Sequence, residues 1–233
     1  MKEYKLALSD EILMQVEKPA RYIGNEVNSI VKTGDEKVKI RYAMCFPDVY
    51  EIGMSHLGMK ILYDMLNRWE DVWCERVFSP WVDLDKIMRE KNIPLFGLES
   101  QDPIKNFDFL GITIQYEMCY TNILQVLDLA GIPLRAKNRT WDDPIVMGGG
   151  PCTYNPEPIA DFFDIFYIGE GETRHREILD LYLECKEQGL SREEFLRKAA
   201  CIPGMYVPMF YQVEYHEDGT IKEFGPIYEE LPK

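Results

Sequence analysis

The amino-acid sequence predicts an α/β domain with a mainly parallel sheet and helices on both faces. Three observations carry that prediction. Segments of strand and helix character alternate from residue 38 to about 188, with little room for hairpins. The stretch FDFLGITIQYE (107–117) is an apolar run of the kind shown by a strand buried on both faces. Two further strand-like runs, DPIVMGGG (143–150) and DIFYIGEGE (164–172), end in glycine-bearing loops, and such sheets bind ligands at their strand ends.

The elements follow in order. Residues 1–37 read as a helical lead-in of mixed charge, then an irregular stretch, EKPARYIGNEVNS, rich in Pro, Gly and Asn. VKIRYAMCF (38–46) is the first strand; Leu57, Ile61, Leu62, Met65, Leu66 and Trp69 then recur at helical spacing. VWCERVFS (72–79) is the second strand, and WVDLDKIMREKN (81–92) is a helix that stops before Pro94. The third strand, 107–117, leads to a helix over roughly 119–130, ended by Gly131 where a left-handed residue is needed. The fourth and fifth strands are 143–150 and 164–172, and a long helix runs from about 172 to Gly189. SREEFLRKAA (191–200) opens with a capping box formed by Ser191 and Glu194. The tail alternates with period two around Asp218-Gly219, which predicts a β-hairpin. The chain thus divides into a lead-in (1–37), an α/β domain (38–190) and an extension of helix plus hairpin (191–233).

Composition narrows the function. Of 233 residues, 46% are apolar and 28% charged, enough to bury a sizeable core. The net charge of −14 repels phosphate backbones and disfavours nucleic acid as a primary partner. No apolar run reaches the ~18 residues of a membrane span, and the N-terminus lacks a signal-peptide core. No membrane partner and a cytoplasmic location are therefore expected. Cysteines 45, 74, 119, 152, 185 and 201 stand no closer than 16 residues apart, which leaves no metal-ligand spacing. Most of them are expected to be small core hydrophobes.

The parallel sheet directs attention to the loops 47–56, 115–120, 148–155 and 169–173. The first holds Asp48, Tyr50 and Gly53 and runs on through Met54, Ser55 and His56. The next offers Thr113, Gln115 and Tyr116. Gly148, Gly149, Gly150 and Pro151 follow the fourth strand, where missing side chains let a large flat ligand reach the backbone. Gly169, Glu170, Gly171 and Glu172 follow the fifth. Each has a plainer reading. Tyr50 either caps the sheet with a buried ring or lines a cofactor, and His56 either starts a helix or acts as a ligand. Glu170 and Glu172 either stabilise a helix through its dipole or bond to ligand amides. Gly169-x-Gly171-x-x-Arg174 is no dinucleotide fingerprint, because its third glycine is missing and the loop follows the last strand of the unit. His175, within ETRHRE, and His216, in the hairpin turn, are expected to be solvated, and three scattered histidines assemble no catalytic triad.

Taken together, these loops resemble the cobalamin-binding domain of corrinoid proteins. The family's Asp-x-His-x-x-Gly is similar to Asp48-x-Tyr50-x-x-Gly53, its Ser-x-Leu to Thr113-x-Gln115, and its Gly-Gly to Gly148-Gly149. PIVMGGGPCTYNPEPIADFFDIFYIGEGE (144–172) looks closer still to the corrinoid-type domain that precedes a radical S-adenosylmethionine (SAM) domain, and the resemblance covers about residues 18–172. It implies a Rossmann-like, flavodoxin-like three-layer fold with five strands, and a corrinoid lying across the strand ends with its nucleotide tail in a slot. The family's lower-ligand histidine is Tyr50 here. A neutral phenol, pKa near ~10, is a poor cobalt ligand, so cobalamin is expected without a protein lower ligand. The cluster motif Cys-x-x-x-Cys-x-x-Cys is absent from this sequence. A 4Fe-4S cluster and SAM are therefore expected only in a missing C-terminal radical SAM domain, the implied partner, toward which the tail YEELPK leads. A competing reading is a corrinoid-type fold that has lost the ligand and serves for docking or substrate positioning, its slot filled by Tyr50, Met54, Tyr116 and Met118.

Overall fold

The computed structural model describes residues 8–232. Six strands form one sheet: β1 (Ile40–Phe46), β2 (Val72–Phe78), β3 (Phe109–Thr113), β4 (Ile145–Gly149), β5 (Ile165–Tyr167) and β6 (Met205–Tyr206). Their order is β2-β1-β3-β4-β5-β6. The first five run parallel, with Tyr42 opposite Phe109 and Phe109 opposite Ile145. β6 lies antiparallel to β5, pairing Tyr206 with Phe166. The expected count of five strands is thereby corrected to six. Two residues carry no readable alternation, yet Met205-Tyr206 covers an edge of β5 that would otherwise present unpaired backbone groups.

Alternation along the strands sorts the core into two layers. Tyr42, Met44 and Phe46 of β1 pack with Met59 and Leu66 of α3 (Leu57–Asn67), Ile178 and Leu179 of α6 (Gly171–Glu187) and Phe195 of α7 (Arg192–Ala199). Ala43 and Cys45 belong to the opposite layer, with Leu84 and Met88 of α4 (Val82–Lys91) and Ile123 and Val126 of α5 (Tyr120–Leu129). Both faces are covered, which is why β3 reads as a continuous apolar run. The predicted left-handed turn after α5 is present, with Gly131 at φ +67, as is the Ser191–Glu194 capping box of α7. The tail forms the antiparallel hairpin of β7 (Tyr211–Tyr215) and β8 (Ile221–Pro226).

The lead-in is helical only at α1 (Asp10–Leu13) and in a single turn at Pro19–Arg21; residues 1–7 of the expected lead-in lie outside the described residues. Its Leu8, Ile12, Leu13 and Val16 are buried in the core with α4 and α5, and Ile30 O accepts a 3.0 Å bond from the Trp73 indole. Among the described residues no helix is long and apolar enough to cross a membrane. The six cysteines carry no disulfide; four are buried, Cys152 is half-buried and Cys201 is exposed.

The chain runs from β1 to β2 on one side and returns to β3 on the other. In such sheets this reversal opens a crevice at the carboxyl ends of the strands, and the candidate site lies there.

Candidate functional site

The segment after β1 departs from the expected loop. Tyr50–Ser55 forms a short helix, α2, which meets α3 at His56. Asp48 helps the turn by accepting the Val49 amide at 2.7 Å. Gly53 permits α2 to lie on the sheet end, because a Cβ there would sit 2.3 Å from the Phe78 ring. This helix places Tyr50 against the end of β2 and outside the crevice lining. Its hydroxyl donates to Glu26 at 2.8 Å, its ring meets Phe78 edge-on, and burial, then Glu26, push its pKa up to about 12. Met54 and Gly53 line a separate cavity of about 690 Å3 beneath Glu26–Ile30, together with Tyr63 and Arg76. Arg76 is committed inside the protein, donating to Glu26 at 2.6 Å and to Glu99 at 2.5 Å. The larger cavity therefore has a buried cation already neutralised.

The strand-end crevice is smaller, about 180 Å3. One wall is the backbone of β3 and β4, Gly111 to Thr113 and Met147 to Gly150; the other is the N-terminal halves of α3 and α6, at Gly58, Leu62 and Gly171. The crevice gathers His56, Thr113, Gln115, Gly148, Gly149, Gly150, Gly169, Gly171 and Glu172 from the residues singled out in the sequence. Thr113 and Gln115 are joined by a 2.6 Å bond from Nε2 to Oγ1. His56 stands at the start of α3, its Nδ1 accepting the Met59 amide at 3.2 Å.

The remaining sequence candidates do not line this crevice. Asp48 and Tyr116 bond to each other, and that bond, first, raises the Tyr116 pKa to about 12. Ser55 donates back to the Glu51 carbonyl at 2.6 Å. Pro151 and Glu170 are exposed, the Glu170 carbonyl accepting from the Tyr167 hydroxyl at 2.8 Å.

Reading the loops missed the floor of the crevice, which comes from inside the strands and from α6. Tyr42, Met44, Met147 and Tyr167 all line it. So does His175, which is 5% exposed, a correction to its expected solvation. Its signal was in the spacing: His175, Ile178, Leu179 and Tyr182 share one buried helical face. His175 Nδ1 donates to the Gly171 carbonyl, so the neutral ring presents Nε2 as an acceptor. Among the described residues the Tyr42 hydroxyl is the one partner of Nε2, at a loose 3.4 Å. Burial lowers the His175 pKa and so favours the neutral ring, although the Gly171 carbonyl and Glu172 oppose it. Tyr42 reaches His175 by lying over Gly111, where a Cβ would sit 2.1 Å from the phenol oxygen. His216 is exposed, as expected.

The arrangement is a narrow slot with largely backbone walls, a rim of amide, hydroxyl and imidazole groups, and a floor of one imidazole and two phenols beside two methionines. No group of His, Cys, Asp or Glu among the described residues is arranged to hold a metal ion. The slot can hold the edge of a flat ligand; no nucleophile with an adjacent base is assembled in it.

Comparison with known proteins places the chain. Over 131 residues it is 33% identical to an uncharacterized protein of Methanocaldococcus jannaschii, covering 56% of this chain. It spans only 24% of that relative's length. A family model described as radical SAM proteins, N-terminal, matches residues 58–208, well over half of the sequence and all the strands from β2 to β6. The chain therefore belongs to the radical SAM N-terminal family.

Proposed function

We propose that this chain is the cofactor-binding module of a radical SAM protein, and that its strand-end crevice receives cobalamin without a lower ligand from the protein. The observation that carries the reading is the glycine-walled slot at the β1/β3 reversal. The order β2-β1-β3-β4-β5 is that of flavodoxin-like sheets, which bind ligands at this switch point. The residues fit the group. A Cβ added at Gly149 would meet nothing within 4 Å, so this wall stands back from its surroundings. Gly148 to Gly150, Gly111 and Thr113 would hold the nucleotide tail, and His56, Gln115 and Glu172 would meet the amides at the rim. Tyr50, tied to Glu26 and kept protonated by its raised pKa, is no cobalt ligand. Bound there, the corrinoid would supply methyl or electron transfer to a partner domain. The 4Fe-4S cluster and SAM belong to that C-terminal radical SAM domain, and this module alone catalyses nothing.

One observation favours the second reading, a docking or positioning module that has lost its ligand. The slot's 180 Å3 is below the ~300–1,000 Å3 of common ligand sites. Mixing the chain with hydroxocobalamin, desalting it and recording the visible spectrum separates the two. Retained corrinoid whose spectrum lacks a nitrogen lower ligand supports the cofactor module; no retention favours the docking module. A nitrogen-ligated spectrum that disappears in His56→Ala would make His56 the ligand and overturn the absence of one.

A further inference from the structure

The floor of the crevice is polar, although it lies within the hydrophobic layer beneath α3 and α6. Tyr42 is 1% exposed and His175 5%, and both face the slot. Of their neighbours on the floor, Met44 and Met147 are apolar, and the Tyr167 hydroxyl is already engaged by the Glu170 carbonyl and the Thr173 hydroxyl. A buried imidazole in such surroundings costs stability unless its acceptor is satisfied. Here the Nδ1 side is satisfied by Gly171 O, while Nε2 has only the 3.4 Å contact to the Tyr42 hydroxyl. That hydroxyl has no other hydrogen-bond partner among the described residues. The pair therefore holds one under-used acceptor and one under-used hydroxyl at the closed end of a slot.

We propose that His175 and Tyr42 make the crevice selective for corrinoids whose nucleotide base carries an N–H or O–H donor, over those with an apolar base. This rests on the corrinoid reading of the crevice. An amino group on a purine base, or a hydroxyl on a benzimidazole, satisfies Nε2 of His175 and leaves the Tyr42 hydroxyl free to bond the same group. The two methyl groups of dimethylbenzimidazole offer no donor and leave Nε2 with only its loose 3.4 Å contact to the Tyr42 hydroxyl, so the apolar base forgoes one hydrogen bond that the polar bases gain. Thr113, Gln115, Tyr167 and Glu172 also line the slot, so it is the loss of the preference in the Tyr42 and His175 variants that assigns the selectivity to these two side chains.

The test compares dissociation constants of the 233-residue chain for three corrinoids that differ only in the base: adenine, 5-hydroxybenzimidazole and 5,6-dimethylbenzimidazole. Titration calorimetry or quenching of tryptophan fluorescence reads binding without any enzymatic activity. The polar bases are expected to bind about 3- to 10-fold more tightly, the worth of one net hydrogen bond. Tyr42→Phe keeps the packing ring and is expected to reduce that ratio, and His175→Phe to abolish it, while the dimethylbenzimidazole corrinoid still binds. Equal affinities in the unaltered chain overturn the selectivity and leave the corrinoid reading standing. So does a ratio that survives Tyr42→Phe and His175→Phe in folded protein. Binding of none of the three overturns both.

Discussion

Gly148 and Gly149 are neighbours in β4, yet alanine at each is expected to move stability in opposite directions. Strand side chains alternate between faces. Met147 packs in the layer of α3 and α6, so position 149 faces the crevice and position 148 the opposite layer. A Cβ at Gly148 would lie 2.7 Å from Cδ1 of Phe166 and 3.1 Å from Cδ1 of Ile114. Phe166 is fully buried and packs 4.6 Å, centroid to centroid, from Phe163, so its ring has no room to retreat. Overpacking of this kind costs about 1–3 kcal/mol. A Cβ at Gly149 would meet nothing within 4 Å, so there alanine mainly restricts the unfolded chain and gains about 0.5–1 kcal/mol. Urea denaturation followed by tryptophan fluorescence should therefore separate Gly149→Ala from Gly148→Ala by about 1.5–4 kcal/mol, with the unaltered chain between them. Equal stabilities, or a more stable Gly148→Ala, would refute the assignment of the two faces and with it the crevice wall.

Further predictions concern the charged groups and Tyr50. Tyr50→Phe removes the hydroxyl on Glu26 and is expected to cost about 0.5–1.5 kcal/mol in denaturation while leaving corrinoid retention unchanged; lost retention would place Tyr50 back in the site. Asp164, 1% exposed, accepts 3.0 Å bonds from both Arg139 and Arg192, so Asp164→Asn strands two buried guanidiniums and should destabilise by about 3–5 kcal/mol, again read by denaturation. Burial pushes the Glu99 carboxyl up to about 7 against the pull of Arg76. A raised folded-state carboxyl binds more protons than the unfolded chain, so its contribution is full below the unfolded pKa and is lost as pH rises toward 7. The stability of the unaltered chain relative to Glu99→Gln should accordingly fall between pH 5 and 7; a flat difference would remove Glu99 as the cause.

Most of the sheet was legible because alternation and helical spacing are set by burial, and burial leaves a periodic trace. β1 to β5, α3 to α7 and the hairpin all follow from that trace. β6 escaped it because two residues have no period, and α2 because Gly53 and the surrounding polar residues look like a turn when the packing of Phe78 is not in view. The site was legible only in part. Glycines at strand ends pointed to one wall of the crevice, since close approach is what glycine permits. Tyr50 was drawn toward the site by its place in a motif, whereas helix geometry points it at Glu26. The floor was missed because Tyr42, Met147 and His175 sit inside regular elements, where apolar neighbours make a polar residue look incidental and charged neighbours make a buried one look solvated.

If a corrinoid binds in the slot between β4 and the start of α6, Gly149→Leu closes its site. The side chain would project into open space on the crevice side and block the slot without disturbing the sheet. Equilibrium dialysis against hydroxocobalamin, run beside thermal melts of both proteins, is expected to show binding to the unaltered chain and none to Gly149→Leu at matched stability. Equal binding by the two proteins, or no binding by the unaltered chain, would contradict the account.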